Sequence, residues 1–204
     1  GYGLPIGGVI ATDINHGENG GAISPGAVGF DINCGVRVLA LDATIDDIPN
    51  IKKLGGRLAG RIPAGASGKG GLDISMGQIR DLTQGGAQAA VDMGIGFDED
   101  LPSLESNGLL EVDDVSLSSR ALERGLRALG TLGSGNHFLE LQSVEKLVDE
   151  DTAKHWGLYE GQLLAMIHSG SRGLGHQVCS EHSRKFEQKY RRTVSYTHLT
   201  LPTR

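Results

Sequence analysis

An acid and a thiol stand three residues apart in residues 29–37, which read GFDINCGVR. Asp31 offers a hard carboxylate oxygen and Cys34 offers a soft thiolate, and together such ligands can hold a borderline metal ion. A thiolate can also bridge two ions. The alternative is a structural cysteine buried beside a turn-forming Asp-Ile-Asn segment. The local sequence leaves both interpretations open.

A second candidate segment, GSGNHFLE, joins a glycine loop to a strand predicted over residues 137–142. Imidazole is the commonest metal ligand at neutral pH, so His137 is a candidate ligand. Side chains alternate between the two faces of a strand, which would turn Asn136 and Glu140 away from His137 toward a second ligand. The alternative is a histidine whose ring bonds only a backbone partner.

A third segment, IHSGSRGLGH, joins a strand predicted over residues 163–167 to a helix predicted over 174–192. Loop N–H groups, a helix N-terminus and Arg172 together favour an anion. His168 ends the strand and is a better ligand candidate than His176, which we place in the helix. The remaining histidines have polar neighbours and are predicted at the surface: His16, His155, His182 and His198.

Both strands and helices are needed to position these candidates. Periodicity predicts strands over residues 1–12, 36–41, 137–142 and 163–167, of which 36–41 and 163–167 should be buried. It predicts helices over 46–61, 74–93, 116–129 and 174–192, the second weakened by Gly77, Gly85 and Gly86. A glycine-rich loop is expected over 62–72 and an exposed connection over 96–115.

The composition has no basic excess, because 19 Lys and Arg stand against 25 Asp and Glu. Nucleic-acid binding therefore cannot be argued from bulk charge, and a polyanion would need local arginines or metal ions. Two cysteines are too few for a disulfide scaffold. With no apolar run of about 18 residues and no charged leader, we expect no membrane span and a cytoplasmic location.

Three segments, taken in order, resemble the RtcB family of RNA-splicing ligases: GYGLPIGGV with SPGAVGFDINCGVR, then GTLGSGNHFLE, then IHSGSRGLGHQV. The resemblance covers residues 1–192 and implies a partial catalytic domain there. It implies the family's own α+β fold, with mixed sheets around a metal-binding cleft. Residues 193–204, TVSYTHLTLPTR, are expected to be a tail of artefactual origin outside the family.

The resemblance implies an enzyme that joins an RNA 3′-phosphate or 2′,3′-cyclic phosphate to a 5′-hydroxyl in tRNA splicing and RNA repair. It implies GTP, two Mn²⁺ ions, a guanylylated histidine and an RNA-GMP intermediate. An activator of the archease type is a further implied partner. The nucleophilic histidine belongs to a later motif that these 204 residues lack, so we expect this chain to be inactive alone.

Residue roles follow from positions within the matching motifs. The resemblance assigns Asp31, Cys34 and His137 to one manganese, with Cys34 bridging to a second that His168 also binds. Arg172 and Arg124 match contacts to an RNA backbone phosphate. The segment that would line the GMP site consists of Asn136, His137, Phe138, Leu139 and Glu140.

Two other functions would use the same residues. A metal-dependent phosphoesterase or hydrolase would use two metals to activate water, and phosphatase turnover without GTP would favour it. A non-catalytic protein would instead hold zinc in a closed four-ligand site. Tight zinc with no open position would favour that alternative, with Asp31, Cys34, His137 and His168 as the ligands.

Overall fold

The computed structural model describes residues 9, 11–13, 15, 25–65, 71–111 and 116–189, and helices and a sheet there confirm the α+β class. The strands are β1 (Gly35–Thr44), β2 (Phe138–Ser143) and β3 (Gln162–Ser169). The α-helices are α1 (Ile51–Arg61), α2 (Met76–Asp92), α3 (Ser119–Ala128), α4 (Glu150–His155) and α5 (Arg172–Lys189). Short 3₁₀ turns occupy Pro25–Val28, Ile45–Asp47, Asp98–Ser103 and Glu105–Gly108.

The sheet has the strand order β1-β3-β2, and both pairings in the described part of the chain are antiparallel. It therefore differs from the mixed sheets that the resemblance implies. The central strand β3 is buried only at its start, at Gln162 and Leu163, and the rest of the strand is half-buried, so the burial predicted over residues 163–167 is confirmed at Leu163 alone. The strand predicted over residues 1–12 and the tail over 193–204 lie almost wholly outside the described residues.

The prediction that the strand over residues 36–41 is buried is wrong. Val36, Val38 and Leu39 are 45%, 50% and 48% exposed. An apolar run indicates burial only where a second layer covers it, and β1 is an edge strand that pairs with β3 alone among the described strands. The apolar sequence therefore predicted the strand correctly but not its surroundings.

Helices α2, α3 and α5 pack into the most enclosed part of the described structure. Their buried side chains include Ile79, Leu122 and Cys179. Gly125 lets α3 approach α5 closely, because a Cβ there would lie 2.7 Å from Leu174 Cδ1. This close approach brings polar side chains of the two helices into contact on one flank.

Local capping explains where the helices begin. The helix predicted from residue 46 starts at Ile51, because Asn50 accepts a hydrogen bond from the Lys53 backbone N–H (2.9 Å). Helix α4 is absent from the predictions, although Asp149 caps it through the Thr152 N–H (3.0 Å). In α2 the expected glycine weakness is confirmed at Gly86, whose φ of 60° interrupts the helix. Within the described ranges, no helix is long and apolar enough to cross a membrane.

Candidate metal centre

Three candidate ligands meet at one end of the sheet because the strands are antiparallel. Cys34 immediately precedes β1, and His168 is the second-last residue of β3. The residues that follow them, Gly35 and Ser169, pair with each other. His137 immediately precedes β2, whose first residue pairs with His168. Three segments far apart in sequence therefore place one ligand each at the same sheet end.

The ligand atoms are close enough to share an ion. Cys34 Sγ lies 3.2 Å from His168 Nε2 and 3.4 Å from His137 Nε2. All three atoms lie within 4.8 Å of one another. In a tetrahedral site, metal–sulfur and metal–nitrogen bonds of about 2.0–2.3 Å put neighbouring ligand atoms roughly 3.3–3.7 Å apart, close to the observed separations. The sulfur and nitrogen donors therefore fit a first-row divalent cation.

Asp31 completes the group, which we call the metal cluster: Asp31, Cys34, His137 and His168. Its Oδ2 lies 2.7 Å from His137 Nε2. Its Oδ1 accepts the backbone N–H of Arg172 (2.8 Å), the first residue of α5. Asp31 and Cys34 stand on one turn, closed by the Cys34 N–H to the Asp31 carbonyl (3.0 Å). The structure thus brings the four predicted ligands together, and their metal binding stays a prediction.

The environment of Cys34 disfavours a thiolate when no cation is bound. Desolvation of the sulfur, followed by the charge of Asp31 and a hydrogen bond with it, raises the pKa of the Cys34 thiol. The residue as a whole is exposed, so this desolvation is confined to the side facing the cluster. A bound cation would reverse the effect, because it favours the deprotonated ligand.

Gly133 supports both the metal cluster and Arg172. Its φ is +115°, and a Cβ there would collide with His137 Nδ1 and with Arg172 Nη1. Both nitrogens are buried and have no hydrogen-bond partner among the described residues. The other terminal nitrogen of Arg172, Nη2, donates to the Gly65 carbonyl (2.9 Å). The Arg172 guanidinium is therefore held against two loops and beside the His137 ring.

The predicted nucleotide segment is divided between two faces of the sheet. Asn136 is exposed in the turn before β2 rather than in the strand. Phe138 and Glu140 share the face of His168, since Phe138 pairs with it and contacts its ring edge-on, 5.5 Å between centroids. Leu139 points to the opposite face and lines an apolar cavity against α1. The side chains of 136–140 are thus not gathered in one place, and their nucleotide role stays a prediction.

Arg124 lies on α3, where it contacts α5. Its Nη1 donates to Gln177 Oε1 (2.8 Å) and lies 3.5 Å from His176 Nδ1. His176 is in helix α5 as predicted, with its ring against Phe30, 4.9 Å between centroids. Burial, and then the nearby Arg124 charge, lower the pKa of His176 below its ordinary value.

Gln177 and Glu181, which join Arg124 in this contact, are absent from the sequence predictions. The available signal is their four-residue spacing on one helix, which places both side chains on the same face. The surface prediction for His155 and His182 is confirmed, because both are exposed. His16 and His198 lie outside the described residues.

The fold and the donor set define an α+β protein with a candidate transition-metal centre at one end of its sheet. The family model for tRNA-splicing ligase RtcB matches residues 1–203, so the chain belongs to the RtcB family. The matched span runs past residue 192, and the separate origin of the tail stays a prediction.

Curated relatives support the same assignment. The tRNA-splicing ligase RtcB of Thermococcus kodakarensis is 47% identical over 194 residues, 94% of this chain and 39% of the relative. Its counterpart in Archaeoglobus fulgidus is 45% identical over 206 residues, which are 100% of this chain and 41% of the relative. The RNA-splicing ligase RtcB of Mycobacterium tuberculosis is 45% identical, over 92% and 44% of the two chains. The chain thus spans about two fifths of the length of these relatives.

Proposed function

We propose that this chain provides the metal- and phosphate-binding part of an RNA ligase, which joins a 3′-phosphate or 2′,3′-cyclic phosphate end to a 5′-hydroxyl end. The observation that carries the proposal is the metal cluster, with its sulfur, nitrogen and oxygen donors gathered at one end of the sheet. The relatives are named as RNA-splicing and tRNA-splicing ligases, which supports RNA as the substrate.

Each residue of the metal cluster has a definable task in this proposal. Cys34, His137 and His168 would hold manganese, and Asp31 would add an oxygen donor while its other oxygen accepts the N–H of Arg172. Bound divalent cations neutralise the negative charge that develops when a phosphoryl group is transferred. Local cations and arginines would also let a chain of net charge −6 bind a polyanion.

The proposal also includes GTP and a further histidine, which would accept the guanylyl group. Glu140 and Phe138 lie on the same sheet face as His168, and Asn136 and Glu140 are exposed, which supports access of a nucleotide to this segment. We place the guanylylated histidine outside these 204 residues. Alone, the chain should therefore bind metal and RNA ends without forming a covalent GMP adduct. RNA repair, tRNA splicing and an archease-type activator would concern the longer enzyme.

An open metal site distinguishes this proposal from a structural zinc site. Structural zinc is enclosed by four ligands, whereas a catalytic ion keeps a position for water or substrate. Cys34 is exposed, and Asp31 retains 29% of its side-chain surface. A substrate oxygen could therefore reach an ion held by the metal cluster.

The test compares two RNAs of one sequence, ending in a 3′-phosphate or a 3′-hydroxyl, by fluorescence anisotropy with and without Mn²⁺. We expect the 204-residue chain to bind the phosphorylated end about tenfold more tightly in Mn²⁺, because a charged hydrogen bond contributes about 1.5–3 kcal/mol. Cys34→Ala should abolish this preference. Cys179→Ala, which removes the buried thiol of α5, is the matched control.

Three results would contradict parts of the proposal. Equal affinity for both RNA ends in Mn²⁺ would remove the phosphate-binding role. Release of inorganic phosphate without GTP would favour the hydrolase. Transfer of label from GTP labelled at its α-phosphate to the chain would show that the nucleophilic histidine is present here after all.

A further inference from the structure

A line of side-chain hydrogen bonds joins α3 to α5 on the flank beside the metal cluster. Arg124 Nη1 donates to Gln177 Oε1 (2.8 Å). Gln177 Nε2 donates to Glu181 Oε1 (2.8 Å), and the Ser118 hydroxyl donates to the same carboxylate oxygen (2.8 Å). We call these four residues the arginine network. Gln177 is only 6% exposed, so water does not readily reach its amide group.

Glu181 determines which end of the Gln177 amide faces Arg124. A carboxylate only accepts hydrogen bonds, and a guanidinium only donates them. The amide must therefore turn its NH₂ to Glu181 and its oxygen to Arg124. The reversed amide would oppose two donors at one end and two acceptors at the other. Loss of the Glu181 charge would remove this constraint.

The network holds Arg124 without neutralising it. No carboxylate of the described residues forms an ion pair with Arg124. Its recorded partners are the neutral Gln177 amide and His176, whose lowered pKa favours the neutral ring. A guanidinium has five N–H donors, so one bond to Gln177 leaves others for an anion. A positive charge kept in a defined position is suited to a phosphate oxygen.

Close packing connects this charge to the metal cluster. A Cβ on Gly173 would lie 2.9 Å from the Arg124 carbonyl oxygen, so α3 rests directly on the first turn of α5. That turn begins at Arg172, whose N–H bonds Asp31. Phe30, the neighbour of Asp31, stacks on His176 beside the Arg124 guanidinium. Arg124 and the metal cluster are therefore supported by the same helix end.

We propose that Gln177 and Glu181 are positioning residues, which fix the Arg124 guanidinium for a phosphodiester of the RNA strand. This inference rests on the proposed function, in which Arg124 contacts an RNA phosphate. Gln177 supplies the contact to Arg124, and Glu181 sets the orientation of the amide. Ser118 holds the Glu181 carboxylate from the start of α3.

The first test is a double-mutant cycle on RNA affinity, measured by anisotropy with the full 204-residue chain and a 3′-phosphorylated RNA. We expect Arg124→Ala to weaken binding about tenfold and Glu181→Gln about fivefold, as loss of one charge-assisted bond allows. In the Arg124→Ala background, Glu181→Gln should have no further effect. Glu187→Gln removes the same charge elsewhere on α5 and should leave affinity unchanged.

A second variant and two further readouts separate positioning from a general loss of structure. Gln177→Met keeps the side-chain length and removes both hydrogen bonds, so it should reproduce Glu181→Gln. Arg124→Ala should reduce the slope of log affinity against log salt by about 0.7, the value for one contact to a single strand. The NMR signals of the Arg124 guanidinium N–H groups are identified by their absence in Arg124→Lys. They should be distinct in the unaltered chain and should merge in Glu181→Gln, because the guanidinium then rotates freely.

The outcomes distinguish the inference from the function on which it rests. If Arg124→Ala binds RNA normally, the phosphate role of Arg124 and the positioning role both fail, while the metal cluster is unaffected. If Arg124→Ala is impaired but Glu181→Gln and Gln177→Met are normal, only the positioning role is wrong. If Glu181→Gln weakens binding equally without Arg124, its effect comes from charge or folding, and the inference is overturned.

Discussion

The metal cluster and the arginine network are two polar groups that both contact α5, the cluster through Asp31 at the first residue and the network through Gln177 and Glu181 further along. They differ in how completely their atoms are paired. In the network, amide, carboxylate and hydroxyl groups bond one another in matched donor and acceptor pairs. In the cluster, the ligand atoms of Cys34, His137 and His168 lie within 4.8 Å of one another, and His137 Nδ1 has no partner among the described residues.

This difference indicates which group depends on a ligand for its stability. Thiolate, carboxylate and imidazole nitrogens repel one another or compete for protons unless a cation lies between them. The network has no such conflict and should keep its geometry without RNA. We therefore expect metal to stabilise the chain through the cluster and to leave the network unchanged.

The largest expected effect is the loss of metal-dependent stability on removing Cys34. A ligand at 100 times its dissociation constant contributes about 2.7 kcal/mol. For a chain of this size that corresponds to a rise in melting temperature of about 5–10 °C. Mn²⁺ should raise the melting temperature of the unaltered chain by this amount, and Cys34→Ala should remove most of the rise.

Thermal unfolding with Mn²⁺, and with Mn²⁺ followed by EDTA, measures this effect. Glu181→Gln is the control, because it disrupts the network without touching a cluster ligand, and it should retain the full metal-dependent rise. If Mn²⁺ raises the melting temperature of Cys34→Ala as much as that of the unaltered chain, the ion binds outside the metal cluster. The cluster would then not differ from the arginine network in its dependence on metal.

The metal cluster was largely predictable from the sequence. Asp31 and Cys34 are neighbours on one turn, and His137 and His168 stand at the ends of predicted strands. Their assembly follows because antiparallel pairing brings the start of one strand to the end of the next. What periodicity could not supply is the position of Asn136, which lies in the turn before β2 and therefore does not follow the alternation of the strand.

The arginine network was not predictable in the same way. Gln177 and Glu181 form an ordinary four-residue pair, as found on many solvated helices. Their significance depends on Arg124 and Ser118, which come from another helix more than fifty residues away. The exposure of β1 escaped prediction for a related reason, since an apolar pattern does not reveal whether another layer covers it.

The second effect concerns Gly133, which contacts both the cluster and Arg172. In Gly133→Ala the new methyl group would displace His137 Nδ1 and Arg172 Nη1. Disturbing the support of a metal ligand typically costs about 10–100-fold in metal affinity. We expect a loss in this range for Mn²⁺, measured by calorimetric titration of the chain.

Gly135→Ala is the matched control for backbone strain. Gly135 also has a positive φ, +74°, but nothing lies within 4 Å of a Cβ built there. Both variants should lose about 1–2 kcal/mol of unfolding free energy through the left-handed backbone, while only Gly133→Ala should lose metal affinity. Equal metal affinities in the two variants would exclude Gly133 as a support of His137.

The smallest effect is a shift in the titration of His176, which reports on the position of Arg124. Burial is the main cause of the lowered His176 pKa, and the Arg124 charge is the second. Arg124→Ala should therefore raise this pKa part of the way toward its ordinary value of 6.5. Arg120→Ala, which removes an exposed charge from the same helix, should leave it unchanged.

The sign of the linked stability follows from the lowered pKa. A histidine that is harder to protonate in the folded state contributes stability above pH 6.5, which is lost as the pH falls through the folded pKa. Arg124→Ala brings the folded-state pKa of His176 closer to 6.5. The unfolding free energy of this variant should therefore depend less on pH between these two values. NMR titration of the imidazole measures the shift, and an unchanged pKa would place the Arg124 charge away from His176, contrary to the network geometry.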